Sequence, residues 1–110
     1  MDKMFVVEID PRKKTISKVQ FDSQTIELKD MYSSLECEMV ERIALNGTID
    51  MWIDEEGTLN NAAERIGFFN LQEYQFVGKG FICGLDEDGD SVPFDESVAD
   101  FIVDNLDVNF

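Results

Sequence analysis

Glu96, Asp100, Asp104 and Asp107 recur at i, i+4, i+8 and i+11 with no Lys or Arg between them. On a helix, that spacing sets four carboxylates along one solvent-facing line, about 6 Å apart from turn to turn. A duplex strand carries one phosphate per about 3.4 Å of axis. The line therefore reproduces the sign of a nucleic-acid backbone and roughly half its per-strand charge density. Like charges at i, i+4 destabilise an isolated helix by roughly 0.2–0.5 kcal/mol per pair, and no base on this segment relieves them. Two further clusters, Asp54-Glu55-Glu56 and Asp86-Glu87-Asp88 with Asp90, offer the same chemistry. These residues form the candidate partner-binding set, provided the fold gathers them on one face.

Residues 80–110 hold nine carboxylates and no Lys or Arg, whereas residues 1–30 balance six acids against six bases. The formal net charge of −15 thus arises entirely from position 31 onward. Charge segregated in this way speaks about partners more than about fold. Phosphate is bound by Lys and Arg, so nucleic acid is not expected as a direct ligand. A basic protein is, one whose own ligand is nucleic acid. Simple solubilisation by the acids is the competing explanation.

Other chemistries are poorly served. The chain has no histidine, which excludes Ser-His-Asp and Cys-His nucleophile systems and imidazole-ligated metals. Carboxylate-based hydrolysis needs its acids inside a cleft, whereas these cluster at turns and on a helix's polar side. No catalytic residue and no cofactor is expected. Cys37 and Cys83 lie far apart in sequence and are expected as reduced, buried thiols. Two thiolates without a histidine make a poor zinc site. The loops at Gly57 and Gly89 invite a calcium reading, but a calcium loop needs a first ligand five residues before its Gly and a closing acid six after. Those first positions are Trp52 and Gly84, and the closing ones Ala63 and Asp95. Hairpin turns with solvated acids are expected instead, and no metal.

The elements that must carry these groups follow from periodicity. A strand over 4–9 ends at Asp10-Pro11, and 15–21 returns as its hairpin partner across the basic tip Arg12-Lys13-Lys14. Leu28, Met31, Tyr32 and Leu35 form one face of a helix over 25–36. Residues 39–45 and 48–53 read as strands joined at Asn46-Gly47 by a two-residue type I′ turn. Residues 60–67 suggest a helical turn or loop, and 71–76 an apolar-polar pattern of no clear class. A buried strand over 80–85 turns at 86–90 into a short strand at 91–94. A helix over 95–106, with Asp95 as N-cap, buries Val98, Phe101, Ile102 and Leu106. The expected fold is α+β, one domain over 1–110. It is a mostly antiparallel sheet with two or so helices packed on one face, the last of them acidic. No apolar run approaches 18 residues, so no membrane span is expected. The short apolar start, closed by acids, does not read as an export signal. The expected location is cytoplasmic.

The stretch 28–90 resembles a family of small domains of unknown function encoded by bacteriophages, plasmids and their hosts. The likeness rests on a helix followed by Val40-Glu41-Arg42-Ile43 and on Trp52-Ile53-Asp54-Glu55-Glu56-Gly57-Thr58-Leu59. Asn61 and Ala63 follow, then a Gly-containing apolar strand over 77–84 that ends in an acidic turn. Where family members carry Asn-Arg, this chain has Asn61-Ala62. The resemblance implies a mobile-element origin and brings no catalytic residues.

The function expected is non-enzymatic inhibition: a DNA-like carboxylate surface occupying the basic channel of a nuclease, restriction enzyme, CRISPR effector or transcription factor. Two alternatives stand beside it. One is a sponge for a signalling nucleotide, built from Trp52 or Tyr74 with Arg42 or Arg65. The other is an acidic interaction module without mimicry.

Overall fold

The computed structural model describes residues 3–110. Its architecture is decided by β1 (Met4–Asp10), where Phe5, Val7 and Ile9 point to one face, Val6 to the other, and all four are buried. A strand apolar on both faces needs cover on both sides. β1 pairs with β2 (Thr15–Gln20) from Phe5↔Gln20 to Asp10↔Thr15. β7 (Gly80–Leu85) inserts between β1 and β4 (Ile49–Asp54), and β3 (Val40–Ala44) closes the far edge. The resulting order is β2-β1-β7-β4-β3, with each of these pairings antiparallel. The short strands β8 (Ser91–Val92) and β9 (Phe94–Asp95) extend the ladder alongside β7 and β1.

One face of this sheet is covered by α1 (Leu28–Leu35), whose Met31 and Leu35 pack with Ile26 against Val6, Phe81 and Cys83. The other is covered by α3 (Glu96–Asn105) and by a second sheet. That sheet, ordered β10-β5-β6, comprises β5 (Phe68–Leu71), β6 (Tyr74–Val77) and β10 (Val108–Asn109). Phe69, Leu71, Ala99 and Ile102 meet Phe5, Val7, Ile9, Met51 and Ile82 there. The fold is α+β and mostly antiparallel, as expected, but its principal helices lie on opposite faces rather than on one. The reason is β1 and β7, which are apolar at both parities. The remaining helix is the single turn α2 (Ala62–Arg65), with Ala62 buried.

Gly80 lets the two sheets approach. A Cβ there would sit 3.2 Å from Phe69 Cζ, and 3.3 Å from both Ile9 Cδ1 and Met51 Sδ. Phe69 is fully buried, its ring 5.4 Å from that of Phe76.

Several local expectations change. The hairpin at Asn46-Gly47 is not a two-residue type I′ turn, since neither residue takes positive φ. Asn46 Oδ1 instead accepts the Thr48 N–H at 2.8 Å, an Asn side chain closing its own turn. Leu45 and Asn46 both donate their N–H to the Ile49 carbonyl. The tight connection lies at Gln72-Glu73, between β5 and β6, with Gln72 at φ 57°. The unclassified stretch 71–76 is thus the heart of a hairpin. α1 starts later than expected because the Ile26 N–H is held by the Ser91 carbonyl at 3.0 Å. Leu28 consequently stays half exposed.

The last helix is turned about its axis relative to expectation. Ala99 and Ile102 are buried, whereas Val98 is exposed and Phe101 is 67% exposed. Small Ala99 lets the backbone approach β1, and Phe101 is left outside.

Candidate functional site

Lys18, near the middle of β2, reaches across to the start of α3. Its Nζ lies 2.6 Å from Glu96 Oε2, 2.8 Å from Asp100 Oδ1 and 5.2 Å from the centre of the Phe5 ring. Asp100, then Glu96, holds the ammonium above its ordinary range by hydrogen bonding. The like-charge strain that the helix sequence implies is therefore relieved from a strand 78 positions earlier. Two of the four stripe acids are engaged, and only Asp104 and Asp107 remain exposed without a cation among the described residues.

The turn at 86–90 is different. Asp86 Oδ1 accepts the Asp88 N–H at 3.0 Å and the Asp90 N–H at 2.8 Å, and Gly89 takes φ 84°. A left-handed residue at that point closes the turn, and Gly adopts it without Cβ strain. Asp86, Glu87, Asp88 and Asp90 are all exposed, and none forms an ion pair among the described residues. Asp86, Asp88 and Asp90 each bring an oxygen within 4.8 Å of the others. With Asp86 Oδ1 already accepting two backbone N–H groups, the geometry is that of an Asp-closed turn.

The third cluster does not join them. Asp54 is buried at 6% exposure, its carboxylate accepting from the Glu56 N–H and from Asn60 Nδ2. It shapes the loop and is not a surface acid; Glu55 is exposed and Glu56 half-buried. The register Ile49↔Gly84 and Trp52↔Phe81 puts Asp54 beyond the start of β7 and Asp86 beyond its end. Across a strand of six residues, these clusters stand about 20 Å apart. The eleven candidate acids thus do not form one continuous surface.

Of the residues considered for a nucleotide pocket, Arg42 and Trp52 are cross-strand neighbours on β3 and β4, whereas Arg65 and Tyr74 lie on other elements. Arg42 Nε donates to buried Asp50 Oδ2 at 2.8 Å; Asp50 Oδ1 and the buried Trp52 Nε1 find no hydrogen-bond partner among the described residues. Arg65 donates to the Asn60 carbonyl, and Tyr74 lies on the second sheet. Cys83, opposite Asp50 on β7, is fully buried, and burial pushes its thiol up to about 11. Cys37 is half-buried and likewise pushed up to about 11. Both cysteines are free.

Sequence reasoning missed a groove. Where the core between the two sheets opens to the surface, α3, the β3–β4 loop and the β5–β6 hairpin enclose a cavity of about 360 Å³. Leu45, Ile49, Leu71, Phe76, Ile102 and Leu106 form its apolar walls, and Tyr74 and Phe101, each 67% exposed, stand at its mouth. Among the described residues, Asn46, Gln72 and Asn105 supply its amide side chains, Tyr74 adds a phenol, and no charged residue lines it. Asn105 Nδ2 donates to the Phe101 carbonyl at 2.9 Å, which leaves its Oδ1 as an acceptor. Asn46 Oδ1 is taken by Thr48, which leaves its Nδ2 as a donor. The signal was present in the chain: Ala99, Ile102, Val103 and Leu106 also follow i, i+3, i+4, i+7. That alternative face frees Phe101.

Fold and surface together define a small two-sheet α+β domain with an acidic turn beside an open apolar groove. Residues 3–107 match a domain of unknown function, DUF3846, and the chain belongs to that family. No match was found among curated proteins or among solved structures. Among the described residues, no helix is long and apolar enough to cross a membrane.

Proposed function

We propose that this domain is a non-enzymatic binding protein that uses its carboxylates to occupy the basic, nucleic-acid-binding surface of another protein, as an inhibitor encoded by a mobile element would. The observation that carries this is the 86–90 turn, where four exposed carboxylates, without cations among the described residues, are held on a backbone fixed by Asp86 and Gly89. Fixed charges need no reordering on association, and complementarity of this kind speeds encounter and makes it salt-sensitive. The contact is centred on Asp86, Glu87, Asp88 and Asp90, with Asp104 in the last turn of α3 and Asp107 just beyond it. Glu96 and Asp100 contribute less, because Lys18 already answers them.

The test is a tagged pull-down from bacterial lysate with and without excess duplex DNA, read by mass spectrometry. A Glu87→Lys/Asp88→Lys/Asp90→Lys variant of unchanged melting temperature is run beside it. Capture of a nucleic-acid-binding protein that duplex displaces, and that the variant loses, is expected. Capture that is indifferent to both duplex and charge reversal refutes the proposal.

A further inference from the structure

Phe101 and Tyr74 leave two large rings 67% exposed at the mouth of a cavity with apolar walls, and exposed patches of this kind mark interaction sites. The cavity, about 360 Å³, falls within the range of ligand pockets, roughly 300–1,000 Å³. Its walls carry no charge, but its surroundings do. Glu73 sits between the lining residues Gln72 and Tyr74, and Asp104 precedes lining Asn105. The Asp107 carbonyl accepts the Gln72 N–H at 3.3 Å, which ties that acid's backbone to the same rim. On the opposite side, the Leu85 N–H donates to the Thr48 carbonyl at 2.9 Å, which sets the 86–90 turn beside the β3–β4 loop. An apolar slot is thus flanked by acids that have no cation among the described residues.

Resting on the basic-partner reading above, we propose that this groove seats one aromatic or leucine side chain of the partner, presented on a peptide segment with Lys or Arg on either side. The buried side chain supplies affinity, as anchors at the centre of interfaces do. The flanking bases meet Glu73, Asp104, Asp107 and the 86–90 turn, which selects against acidic or neutral segments. The Asn46 Nδ2 donor and Asn105 Oδ1 acceptor can bond the segment's backbone beside the anchor.

The experiment is selection of a random 12-residue peptide display library on the intact protein, followed by affinity measurement on the enriched peptides. The expected consensus has one Trp, Phe or Leu with Lys or Arg on both sides. Replacing that anchor by Ala, or blocking the groove with Asn105→Trp, should weaken binding about 30-fold. Phe101→Ser, at an exposed position, provides a second groove variant with the same expected direction. Peptides that are basic but anchor-free, and that bind both groove variants as well as the parent, overturn the groove and leave the acidic-surface reading standing. Anchored peptides without bases, insensitive to salt and to Asp86→Asn/Asp88→Asn, overturn the basic-partner reading and the flanking-charge part of this proposal with it. Absence of any enriched consensus overturns the proposal outright.

Discussion

Replacing Gly80 by Ala is a measurement of how closely the two sheets are seated. The new methyl group would meet Phe69 Cζ at 3.2 Å, and Ile9 Cδ1 and Met51 Sδ at 3.3 Å. All three of these side chains are fully buried. Overpacking of a core costs about 1–3 kcal/mol, while removing a strand glycine returns about 0.5–1 kcal/mol of unfolded-state entropy. The net expectation is a loss of about 1.3 kcal/mol. With about 2.1 cal/mol/K of unfolding entropy per residue over 110 residues, this lowers the melting temperature by about 6 °C. Phe69→Leu shortens the group that meets the methyl and by itself costs about 1 kcal/mol. In that background the closest contact is relieved while those to Ile9 and Met51 remain, so the penalty of Gly80→Ala should fall by about half, a coupling of about 0.6 kcal/mol. The assay is urea unfolding of the parent, both single variants and the double variant, with thermal melts alongside. Additive effects, within about 0.3 kcal/mol, would refute the seating of Phe69 against Gly80.

Arg42→Met keeps the aliphatic stem but strands the buried Asp50 carboxylate, whose Oδ1 already has no partner; the melting temperature should fall, and adding Asp50→Val should recover most of the loss. Burial raises the Cys83 thiol from an ordinary value near 9 to about 11. In that window the unfolded state has released its proton and the folded state has not, so stability falls as pH rises from 9 to 11. A Cys37→Ala/Cys83→Ala variant should lose less stability than the parent between those pH values in urea titrations. Arg12 bonds the Glu36 carboxylate and holds it below its ordinary range. The resulting stabilisation is present above the unfolded value and is lost as pH falls through the folded one, so Glu36→Gln should flatten the acid limb of a melting-temperature profile.

Strands with strong local patterns were readable in the chain. β1, β4 and β7 combine β-branched or aromatic runs with turn residues at their ends, and their limits follow from that. The second sheet was not readable, because β5 and β6 carry four residues each and β10 two. Segments so short acquire strand character only from one another. The Asn46-Gly47 turn failed because the Asn side chain bonded its own loop in place of adopting positive φ. Glu96, Asp100 and Asp104 of the acidic stripe do lie on α3, whereas Asp107 falls beyond its end. The stripe's chemistry was misjudged because Lys18 answers it from the other end of the chain, a contact that helical spacing cannot reveal. Asp54 likewise read as one acid among three, although its carboxylate is consumed by the loop it closes. The groove depends on which of two overlapping apolar faces α3 buries, and side-chain size, Ala99 against Phe101, decided that.

The order β2-β1-β7-β4-β3 has a consequence for a chain emerging from the ribosome. The hairpins β1–β2 and β3–β4 are both complete by residue 54, yet the strand that belongs between them begins only at residue 80. Until then each hairpin presents an open edge beside apolar side chains, a template for pairing with a neighbouring chain. Synthesis stalled before Gly80 would therefore leave two sticky fragments, and the surplus of carboxylates between residues 31 and 79 would help keep such nascent chains apart.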